Sequence, residues 1–351
     1  MRACDVAAHR CGQEEGAARM RLAMFGAGRI APLHARTLLA VPDVTSISIT
    51  DIEPERSASV AAQLGLEPVP SQDDALAAAD AVVVTASTDA HAELVRAALA
   101  RGLPTFCEKP LASTLAASVS LAHDVSRAAA PVQVGFQRRF DPAYVEARRL
   151  VAGGELGDIH TISMRSHDPE PASDEFIASS GGMFSDLSIH DLDVLRYLTG
   201  REATEVYCVG TANRFPQYAR HHDFANAAAL ITLDDGTPVT LTWTRHDPLG
   251  HDVRAEIFGS RDSVAVGLGP RTPIRSVEPG VAPPEGPAWT MFLDRWDAAY
   301  RDELRAFVAV AAGRAQNPCT ADDGVEALRL AEALTISAHE GRPVRMTEVM
   351  G

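Results

Sequence analysis

An aspartate and a histidine stand four residues apart in the segment Gly181–Asp193, which reads GGMFSDLSIHDLD. If this segment is helical, the spacing places Asp186 and His190 on one face of the helix. A carboxylate beside an imidazole can orient the ring and stabilise its protonated form, so the pair is a candidate for acid–base chemistry. The surrounding apolar residues are equally typical of an amphipathic helix that carries a satisfied polar pair. The choice between these two interpretations depends on the rest of the chain.

Composition limits the classes of protein to which the chain can belong. Its 351 residues are 46% hydrophobic and 23% charged, which is typical of a globular protein with two domains. The formal net charge of −15 disfavours binding to nucleic acid or to an anionic membrane, because both need a basic surface. Five widely spaced cysteines without a CxxC pair argue against a disulfide framework and favour a reducing, cytoplasmic location. No apolar run in the sequence reaches the ~18 residues that a transmembrane helix needs.

A glycine-rich turn near the start of the chain predicts a dinucleotide-binding site. The residues GAGRIA at 26–31 match the pattern G-x-G-x-x-G/A, and they stand between an apolar run and a helix-forming segment. Gly26 would permit the tight turn, Gly28 would let the backbone approach a pyrophosphate, and Ala31 would let the helix pack closely on the strand. The free N–H groups at the start of the helix would then bind the phosphates.

An acidic residue at the end of the next predicted strand sets the expected cofactor preference. The segment Val44–Thr50 is β-branched and alternating, and Asp51 follows it directly. A carboxylate at this position accepts hydrogen bonds from ribose hydroxyls and repels a 2′-phosphate, so we expect NAD rather than NADP as the cofactor. Arg56 lies five residues further on and would soften that preference.

Strand and helix patterns continue to alternate as far as residue 136, which predicts a doubly wound α/β domain with a parallel sheet. The predicted strands are Ala81–Thr85, Thr105–Cys107 and Val132–Phe136, and the predicted helices are Gln72–Ala79, Ala90–Ala100 and Leu115–Ala129. Ligands of such sheets bind beyond the carboxyl ends of the strands. The candidate cofactor ligands are therefore Gly26, Gly28, Arg29, Ile30, Asp51, Arg56, Ser87, Thr88, His91, Glu108, Lys109 and Gln137.

After about residue 140 the predicted strands alternate apolar and polar residues, as in an antiparallel sheet with one covered face. The predicted strands are Ile159–Ser166, Glu205–Thr211, Ala227–Leu233, Val239–Arg245 and Arg254–Gly259. A Pro- and Gly-rich loop is expected over Leu268–Pro287, and helices over Met291–Ala312 and Gly324–Glu340. This half of the chain therefore predicts an α+β domain with an open, mainly antiparallel sheet.

These patterns divide the chain into three parts. We expect an NAD-binding Rossmann domain at 20–140 and a substrate-binding and oligomerisation domain at 141–351. Residues 1–19 are polar, and we expect them to be a disordered extension or to precede a natural start at Met20. The neighbours His221, His222 and Asp223 lack a further ligand at a recognisable spacing, so the sequence predicts no metal site.

Four segments together resemble the Gfo/Idh/MocA oxidoreductases over about residues 20–346. They are Gly26–Ala31 followed by His34, Glu108–Pro110, Gly135–Asp141 and Gly181–Asp193. The Glu-Lys-Pro tripeptide at a strand end is far more specific than the glycine turn, which many dinucleotide folds share. Ser166–Pro171, followed by the segment that contains Asp186 and His190, resembles the inositol 2-dehydrogenases of this family.

The resemblance implies catalytic roles for three residues. Lys109 matches the catalytic lysine of the family, with a cis bond to Pro110, and Asp186 and His190 match its acid–base pair. His190 would then take the hydroxyl proton while Asp186 orients its ring, and Lys109 would stabilise negative charge on the reacting oxygen.

The resemblance also implies substrate ligands. Besides Lys109, Asp186 and His190, the residues that match the family's substrate site are Arg139, which we prefer over the adjacent Arg138, and Asp168. His251 stands where many inositol enzymes have a tyrosine that reaches the substrate, and we count it as a further candidate. The chain departs from the family pattern at His167 in place of Arg, at Gln137 in place of Asn and at His251 in place of Tyr. These departures leave the identity of the polyol open.

The expected activity is oxidation of a secondary hydroxyl of a cyclic polyol by NAD. The preferred candidate substrate is myo-inositol, which would give its 2-keto derivative. The alternatives are a dehydrogenase of another inositol isomer or of an aldose, and a non-catalytic NAD-binding regulator on the same scaffold. The resemblance further implies a homo-oligomer, a dimer or a tetramer, built through the open sheet of the second domain.

Overall fold

A computed structural model describes residues 19–282 and 286–349 of the chain. Its α-helices are α1 (Ala31–Leu39), α2 (Pro54–Leu64), α3 (Gln72–Ala78), α4 (Thr88–Leu99), α5 (Leu115–Arg127), α6 (Pro142–Ala152), α7 (Asp174–Ser179), α8 (Ile189–Thr199), α9 (Pro216–Arg220), α10 (Phe292–Arg295), α11 (Asp297–Ala311) and α12 (Ala321–Glu340). Its strands are β1 (Met20–Phe25), β2 (Val44–Thr50), β3 (Glu67–Pro68), β4 (Ala81–Val84), β5 (Thr105–Glu108), β6 (Val132–Gly135), β7 (Ile159–His167), β8 (Ala203–Thr211), β9 (Asn226–Leu233), β10 (Pro238–Thr244), β11 (Asp252–Gly259), β12 (Ser263–Val266) and β13 (Val344–Arg345). The expected extension at 1–19 lies outside the described residues except for Arg19.

The N-terminal half is a six-stranded parallel sheet with the order β3-β2-β1-β4-β5-β6. This order has β1 at the centre and the chain winding outward on both sides, which confirms the predicted Rossmann fold. Strand β4 is apolar throughout and completely buried, as expected for a strand with helices on both faces. Helix α2 and the short edge strand β3 were not predicted, because neither carries a strong apolar period.

The second half is built on a seven-stranded sheet with the order β12-β11-β7-β10-β9-β8-β13. Antiparallel pairs dominate, which confirms the predicted class, but the two central strands β7 and β10 run parallel. Their carboxyl ends therefore meet at one edge of the sheet, where Thr244 pairs with His167. Strand β11 begins at the same edge, because Asp252 also pairs with His167.

The C-terminal helices connect the two halves. The predicted helix Met291–Ala312 is interrupted at Trp296, where the backbone leaves helical geometry, so it forms α10 and α11. Helix α11 returns to the N-terminal sheet, and its Leu304, Phe307 and Val308 complete the apolar core beneath β1 and β2. Helix α12 packs in the core that joins the second sheet to α5 and α8. None of the helices in the described ranges combines the length and apolar character needed to cross a membrane.

The segment with Asp186 and His190 is helical, as its spacing predicts, but it contains two kinds of helix. Residues Phe184–Ser188 form a π-helical turn that runs directly into α8. Gly181 and Gly182 lead into this turn with φ values of +77° and +89°, a region open to glycine and rarely used by other residues. Asp186 thus lies in the π turn and His190 in the first turn of α8, a type of irregularity often found at functional sites.

Candidate active site

The glycine turn between β1 and α1 forms the expected cradle. Gly26 has a φ of +96°, and a Cβ atom added there would lie 2.4 Å from the backbone nitrogen of Ala86 at the end of β4. Only glycine therefore fits at this crossing of the two chain segments. A Cβ atom at Gly28 would meet nothing closer than the carbonyl oxygen of Thr85 at 4.0 Å, so the backbone there is open to a ligand.

The start of α1 faces the glycine turn. Ile30 is the N-cap residue, and no side chain among the described residues caps the first turn. The N–H groups of Ala31 and Leu33 donate to the carbonyl oxygens of Gly28 and Ile30, at 3.2 and 3.1 Å, and Pro32 has no N–H. The positive end of the helix dipole and the open backbone at Gly28 are therefore the features here that fit the diphosphate of a dinucleotide.

Asp51 lies at this turn, as predicted. One carboxylate oxygen accepts a hydrogen bond from the Ala27 backbone N–H at 2.7 Å, and the other accepts from the Glu53 N–H at 2.9 Å. The carboxylate is therefore fixed beside the glycine loop, at the end of β2. Arg56 forms an ion pair with Glu53 at 2.8 Å on the surface and makes no recorded bond to Asp51.

Arg29 joins the glycine turn to the second domain. Its guanidinium lies 5.8 Å from the ring centre of Phe176 in α7 and 5.0 Å from that of Phe292 in α10. Both distances fall within the range of cation–π contacts. Arg29 therefore bridges the cleft that separates the two domains at the cofactor cradle.

Other predicted cofactor residues support the cradle through bonds within the protein. Ser87 is the N-cap residue of α4, which begins at Thr88. The buried ring of His91 has its Nδ1 2.8 Å from the Pro110 carbonyl oxygen and its Nε2 3.2 Å from that of Ala86. Burial lowers the pKa of this ring, although both carbonyl groups and Glu108 act to raise it.

Two more members of the set have polar atoms bound within the protein. A carboxylate oxygen of Glu108 lies 2.6 Å from Nε2 of the buried His34 in α1. The side-chain amide of Gln137 donates to the hydroxyl of Tyr300 in α11 at 3.1 Å. These bonds tie β5 and the segment after β6 to α1 and α11.

Lys109 follows β5 and reaches the π turn. The peptide bond between Lys109 and Pro110 is cis, as the resemblance implies. The ammonium nitrogen donates to the backbone carbonyl of Asp186 at 2.9 Å and to its carboxylate at 3.1 Å. Two of the three residues expected to be catalytic are therefore in direct contact.

His190 is half-buried near this pair but is not hydrogen-bonded to it. Among the described residues, Asp186 binds Lys109 and Arg245, and the buried Nδ1 of His190 has no partner. The expectation that Asp186 orients the His190 ring therefore has no supporting contact, because both carboxylate oxygens are bound by cations. Burial, and then the charges of Lys109, Arg138 and His251, lower the pKa of His190 well below 6.5.

Arg245 was not among the predicted site residues. It follows β10, is 4% exposed, and donates from Nη1 to Asp186 at 3.1 Å and to Asp168 at 3.3 Å. Burial raises the pKa of both carboxyl groups, but Lys109 and Arg245 at Asp186, and His251 and Arg245 at Asp168, outweigh it and leave both pKa values lowered. Arg245 ends the predicted strand Val239–Arg245, so the strand-end rule applied in the first domain would have found it.

His251 completes the cluster at the edge where β7 and β10 end and β11 begins. Its Nδ1 lies 3.6 Å from the Asp168 carboxylate, and the ring is 3% exposed. Neither ring nitrogen has a hydrogen-bond partner within the described part of the chain. Buried polar atoms without partners are costly, and a ligand hydroxyl would satisfy them.

The structure does not bring Arg139 into this cluster. Its guanidinium binds the Asp193 carboxylate at 2.6 to 3.1 Å and the Pro318 carbonyl oxygen at 3.0 Å, and it forms an ion pair with Asp323. These contacts commit it to a buried tie between α8 and α12. The preference for Arg139 over Arg138 is therefore corrected, because the contacts of Arg139 all lie outside the cluster.

One group of potential metal ligands occurs within the described residues, and the sequence did not single it out. His167, Asp247 and Asp252 have ligand atoms within 4.8 Å of one another. Arg254 donates to both oxygens of Asp252, at 2.8 and 2.7 Å, so that this carboxylate is already neutralised. A cation would have to displace this bidentate contact.

Both halves of the chain match models of one protein family. The model described as an oxidoreductase family with an NAD-binding Rossmann fold matches residues 20–136, and the GFO/IDH/MocA C-terminal domain matches residues 144–265. A myo-inositol dehydrogenase of Streptomyces leeuwenhoekii is 38% identical over 92% of this chain and 98% of its own length. A scyllo-inositol 2-dehydrogenase (NAD(+)) of Bacillus subtilis strain 168 is 32% identical over 93% of this chain and 96% of its own.

Solved structures give the same result. The scyllo-inositol dehydrogenase of Lactobacillus casei, crystallised with NAD(H) and scyllo-inositol, superimposes with a TM-score of 0.84 at 28% identity, covering 93% of this chain and 99% of that one. The family matches cover both domains, and the glycine cradle fits the NAD-binding fold that one of them describes. The chain belongs to the Gfo/Idh/MocA oxidoreductases and is an NAD-dependent enzyme of the inositol dehydrogenase kind.

Proposed function

We propose that the protein oxidises a secondary hydroxyl of an inositol, with myo-inositol as the first candidate and its 2-keto derivative as the product. The observation that carries this proposal is the contact of Lys109 with Asp186 beside a histidine that burial keeps neutral. The named relatives act on myo- and scyllo-inositol, which favours the same class of substrate here.

His190 is the proposed general base. An alcohol loses a proton from oxygen while hydride leaves carbon, so a neutral acceptor must lie beside the hydroxyl. A pKa far below 6.5 keeps the imidazole unprotonated before substrate binds. A ring nitrogen of His190 can therefore accept the hydroxyl proton directly. When NAD is bound, its nicotinamide supplies the acceptor for the hydride.

Lys109 is the proposed stabiliser of the reacting oxygen. Its ammonium group can donate to the alkoxide as negative charge develops there. Asp186 holds this group in place through its carboxylate and its backbone carbonyl, at 3.1 and 2.9 Å. In this account Asp186 acts on Lys109 rather than on the His190 ring.

Asp168 and His251 are the proposed ligands of the other hydroxyls. Asp168 offers carboxylate oxygens that accept from hydroxyl groups, and His251 has two ring nitrogens without partners among the described residues. A ring with several hydroxyls satisfies both, whereas a substrate with a single hydroxyl leaves them unpaired. This argument favours a polyol or sugar over a simple alcohol.

Asp51 supports NAD as the preferred cofactor. Its carboxylate is fixed at the glycine turn, where the adenosine ribose of a dinucleotide binds in Rossmann folds. A 2′-phosphate at that position would approach a negative charge that is already in place.

The substrate assignment is tested by measuring NADH or NADPH formation with myo-inositol, other inositol isomers and aldoses, each with NAD and with NADP. We expect the highest kcat/KM for an inositol with NAD. A preference for an aldose selects the sugar alternative. Cofactor binding without turnover of any member of the panel would instead identify a regulator on this scaffold.

We further propose that the outer face of the second sheet joins copies of the chain. This face exposes apolar residues on the neighbouring strands β8 and β9, namely Tyr207, Val209 and Leu230. Exposed apolar groups clustered on one surface are typical of protein interfaces. Light scattering coupled to size-exclusion chromatography should give the mass of a dimer or tetramer, and Leu230→Arg should lower that mass. A wild-type protein that elutes with the mass of one chain contradicts this proposal.

A further inference from the structure

Arg245 differs from an ordinary buried arginine in where its hydrogen bonds go. All the bonds that its side chain makes among the described residues end on two carboxylates, Asp186 at 3.1 Å and Asp168 at 3.3 Å, and both come from Nη1. Its Nε is buried without a partner in the same part of the chain. Arg139, by contrast, spreads its bonds over two acids, Asp193 and Asp323, and the Pro318 carbonyl oxygen.

We propose that Arg245 is a positioning residue that holds Asp186 and Asp168 side by side as two carboxylates, so that Asp186 remains charged and anchors Lys109. The proposal rests on the proposed function, in which Lys109 stabilises the reacting oxygen and Asp168 binds the substrate.

Asp168 and Asp186 lie close together at Arg245. Because one Nη1 atom donates to both, the bonded oxygens of Asp168 and Asp186 cannot be far apart. Two like charges that share a site raise the pKa of one partner strongly unless a cation lies between them. Burial strengthens this repulsion, because the low local dielectric screens it poorly.

The other groups around the pair do not replace Arg245. Lys109 contacts Asp186 from the end of β5 and makes no recorded bond to Asp168. His251 faces Asp168 from the segment before β11, and His190 lies in α8 with a lowered pKa. The remaining groups that act on Arg245 are Tyr218 and Asp223, neither of which is a cation. Among the described residues, Arg245 is therefore the one cation in contact with both acids.

The consequence concerns Lys109. If Asp186 took up a proton, its carboxyl group would attract the ammonium group far less, and Lys109 would keep only the backbone carbonyl of Asp186 as a partner. The lysine would then be free to leave the position from which it stabilises the oxygen. Arg245 thus helps to fix the position of Lys109 through Asp186, without contacting Lys109 itself.

The test is the pH dependence of kcat/KM in Arg245→Gln. We expect kcat to fall, and the acidic limb of the profile to move upward by about one to three pH units, since one carboxyl group now binds a proton near neutral pH. Adding Asp168→Asn removes one negative charge, so the double variant should return the limb toward the wild-type position. A limb that does not move in Arg245→Gln, or that stays displaced in the double variant, would overturn the proposal.

Arg254→Gln is the matched control. Arg254 is a buried arginine of strand β11 in the same sheet, and it binds Asp252 and not Asp186. We expect this variant to lose stability without moving the limb. An equal shift in Arg254→Gln would mean that the limb reports general damage and would contradict the proposal.

Two further measurements keep the proposal testable. If Arg245→Gln does not fold, Arg245→Lys with and without Asp168→Asn replaces it, and we expect a smaller upward shift that the second substitution reverses. Infrared difference spectra against wild type need no substrate, and at neutral pH Arg245→Gln should show a protonated carboxyl group that the double variant lacks. If Arg245→Gln shows no protonated carboxyl group, the proposal is overturned whether or not the substrate is an inositol. If the wild type is inactive but the spectra are as expected, only the proposed function is contradicted.

Discussion

The environment of His190 opposes a positive charge on its ring. The ring is half-buried, packs edge-on against Phe136 at 6.0 Å, and lies near Lys109, Arg138 and His251. Each of these features favours the neutral imidazole, and burial contributes most. The same features would destabilise the imidazolium that forms during oxidation, so the proton must pass on or the developing alkoxide must offset its charge.

The pH profile of the wild-type enzyme follows from this environment. A base whose pKa lies well below 6.5 is still unprotonated at pH 6.5. The pH profile of kcat/KM for oxidation should therefore have no acidic limb at or above pH 6.5. Steady-state rates across the acidic range at fixed ionic strength check this. A limb at the ordinary histidine value would mean that burial and the neighbouring cations do not act on His190 as described.

At the scale of the elements, the sheet edges decide which residues meet. Lys109 follows β5, Asp168 follows β7, Arg245 follows β10, and His251 precedes β11. The parallel pairing of β7 with β10 brings Asp168 and Arg245 to the same edge. With antiparallel neighbours throughout, the ends of these two strands would point to opposite edges.

This pairing explains which parts of the site the sequence could predict. The first domain is predictable because each strand–helix unit is local and its topology follows one rule, so Gly26, Asp51 and Lys109 are found at their strand ends. The order of the second sheet depends on contacts between distant segments, which alternation within a strand does not encode. Arg245 could be found as the end of a predicted strand, but its place beside Asp168 could not.

The choice between Arg138 and Arg139 needed local geometry that the sequence lacks. Both lie in a 3₁₀ turn at Gln137–Phe140, and both are buried beside an acid of α8. Spacing alone indicates that neighbours point in different directions but not which one faces the cleft. The resemblance supplied the preference for Arg139, and the ion pairs with Asp193 and Asp323 correct it.

The loop after β2 sets the cofactor preference in this account. Asp51→Ser removes the carboxylate that would repel a 2′-phosphate, so the ratio of kcat/KM for NADP to that for NAD should rise by about tenfold or more, which is at least ~1.4 kcal/mol. Initial rates with both cofactors at saturating substrate measure this ratio.

Glu53→Gln is the matched control for Asp51. Glu53 lies two residues away, and its carboxylate binds Arg56 at 2.8 Å on the surface. We expect it to change the ratio much less than Asp51→Ser does. Equal effects of the two substitutions would show that general negative charge near the loop, and not the Asp51 carboxylate, selects NAD.

At the scale of the whole molecule, α11 couples the two domains and carries a buried acid. Glu303 is 0% exposed, and neither of its carboxylate oxygens has a partner among the described residues. Burial, and then the charges of Glu108 and Asp193, raise the pKa of Glu303 well above 4.5. The acid therefore keeps its proton to a higher pH in the folded chain than in the unfolded chain.

This difference makes stability depend on pH. Because the folded pKa is above the unfolded pKa, stability is lost as the pH rises from the unfolded value toward the folded one. Glu303→Gln removes that loss, so the free energy of unfolding at neutral pH should rise by about 1 kcal/mol or more, and the gain should vanish near the ordinary glutamate pKa. Denaturant unfolding at both pH values measures it. A variant that is less stable at neutral pH would contradict the protonated state of Glu303.

The central claim is that His190 removes the substrate proton in an enzyme whose cofactor site is a separate structure. The most direct test compares NADH formation from myo-inositol by the wild type and by His190→Ala, with NAD binding measured on both proteins. We expect His190→Ala to lose roughly 10²- to 10⁴-fold in kcat with an unchanged dissociation constant for NAD. Turnover at the wild-type rate in His190→Ala would contradict it.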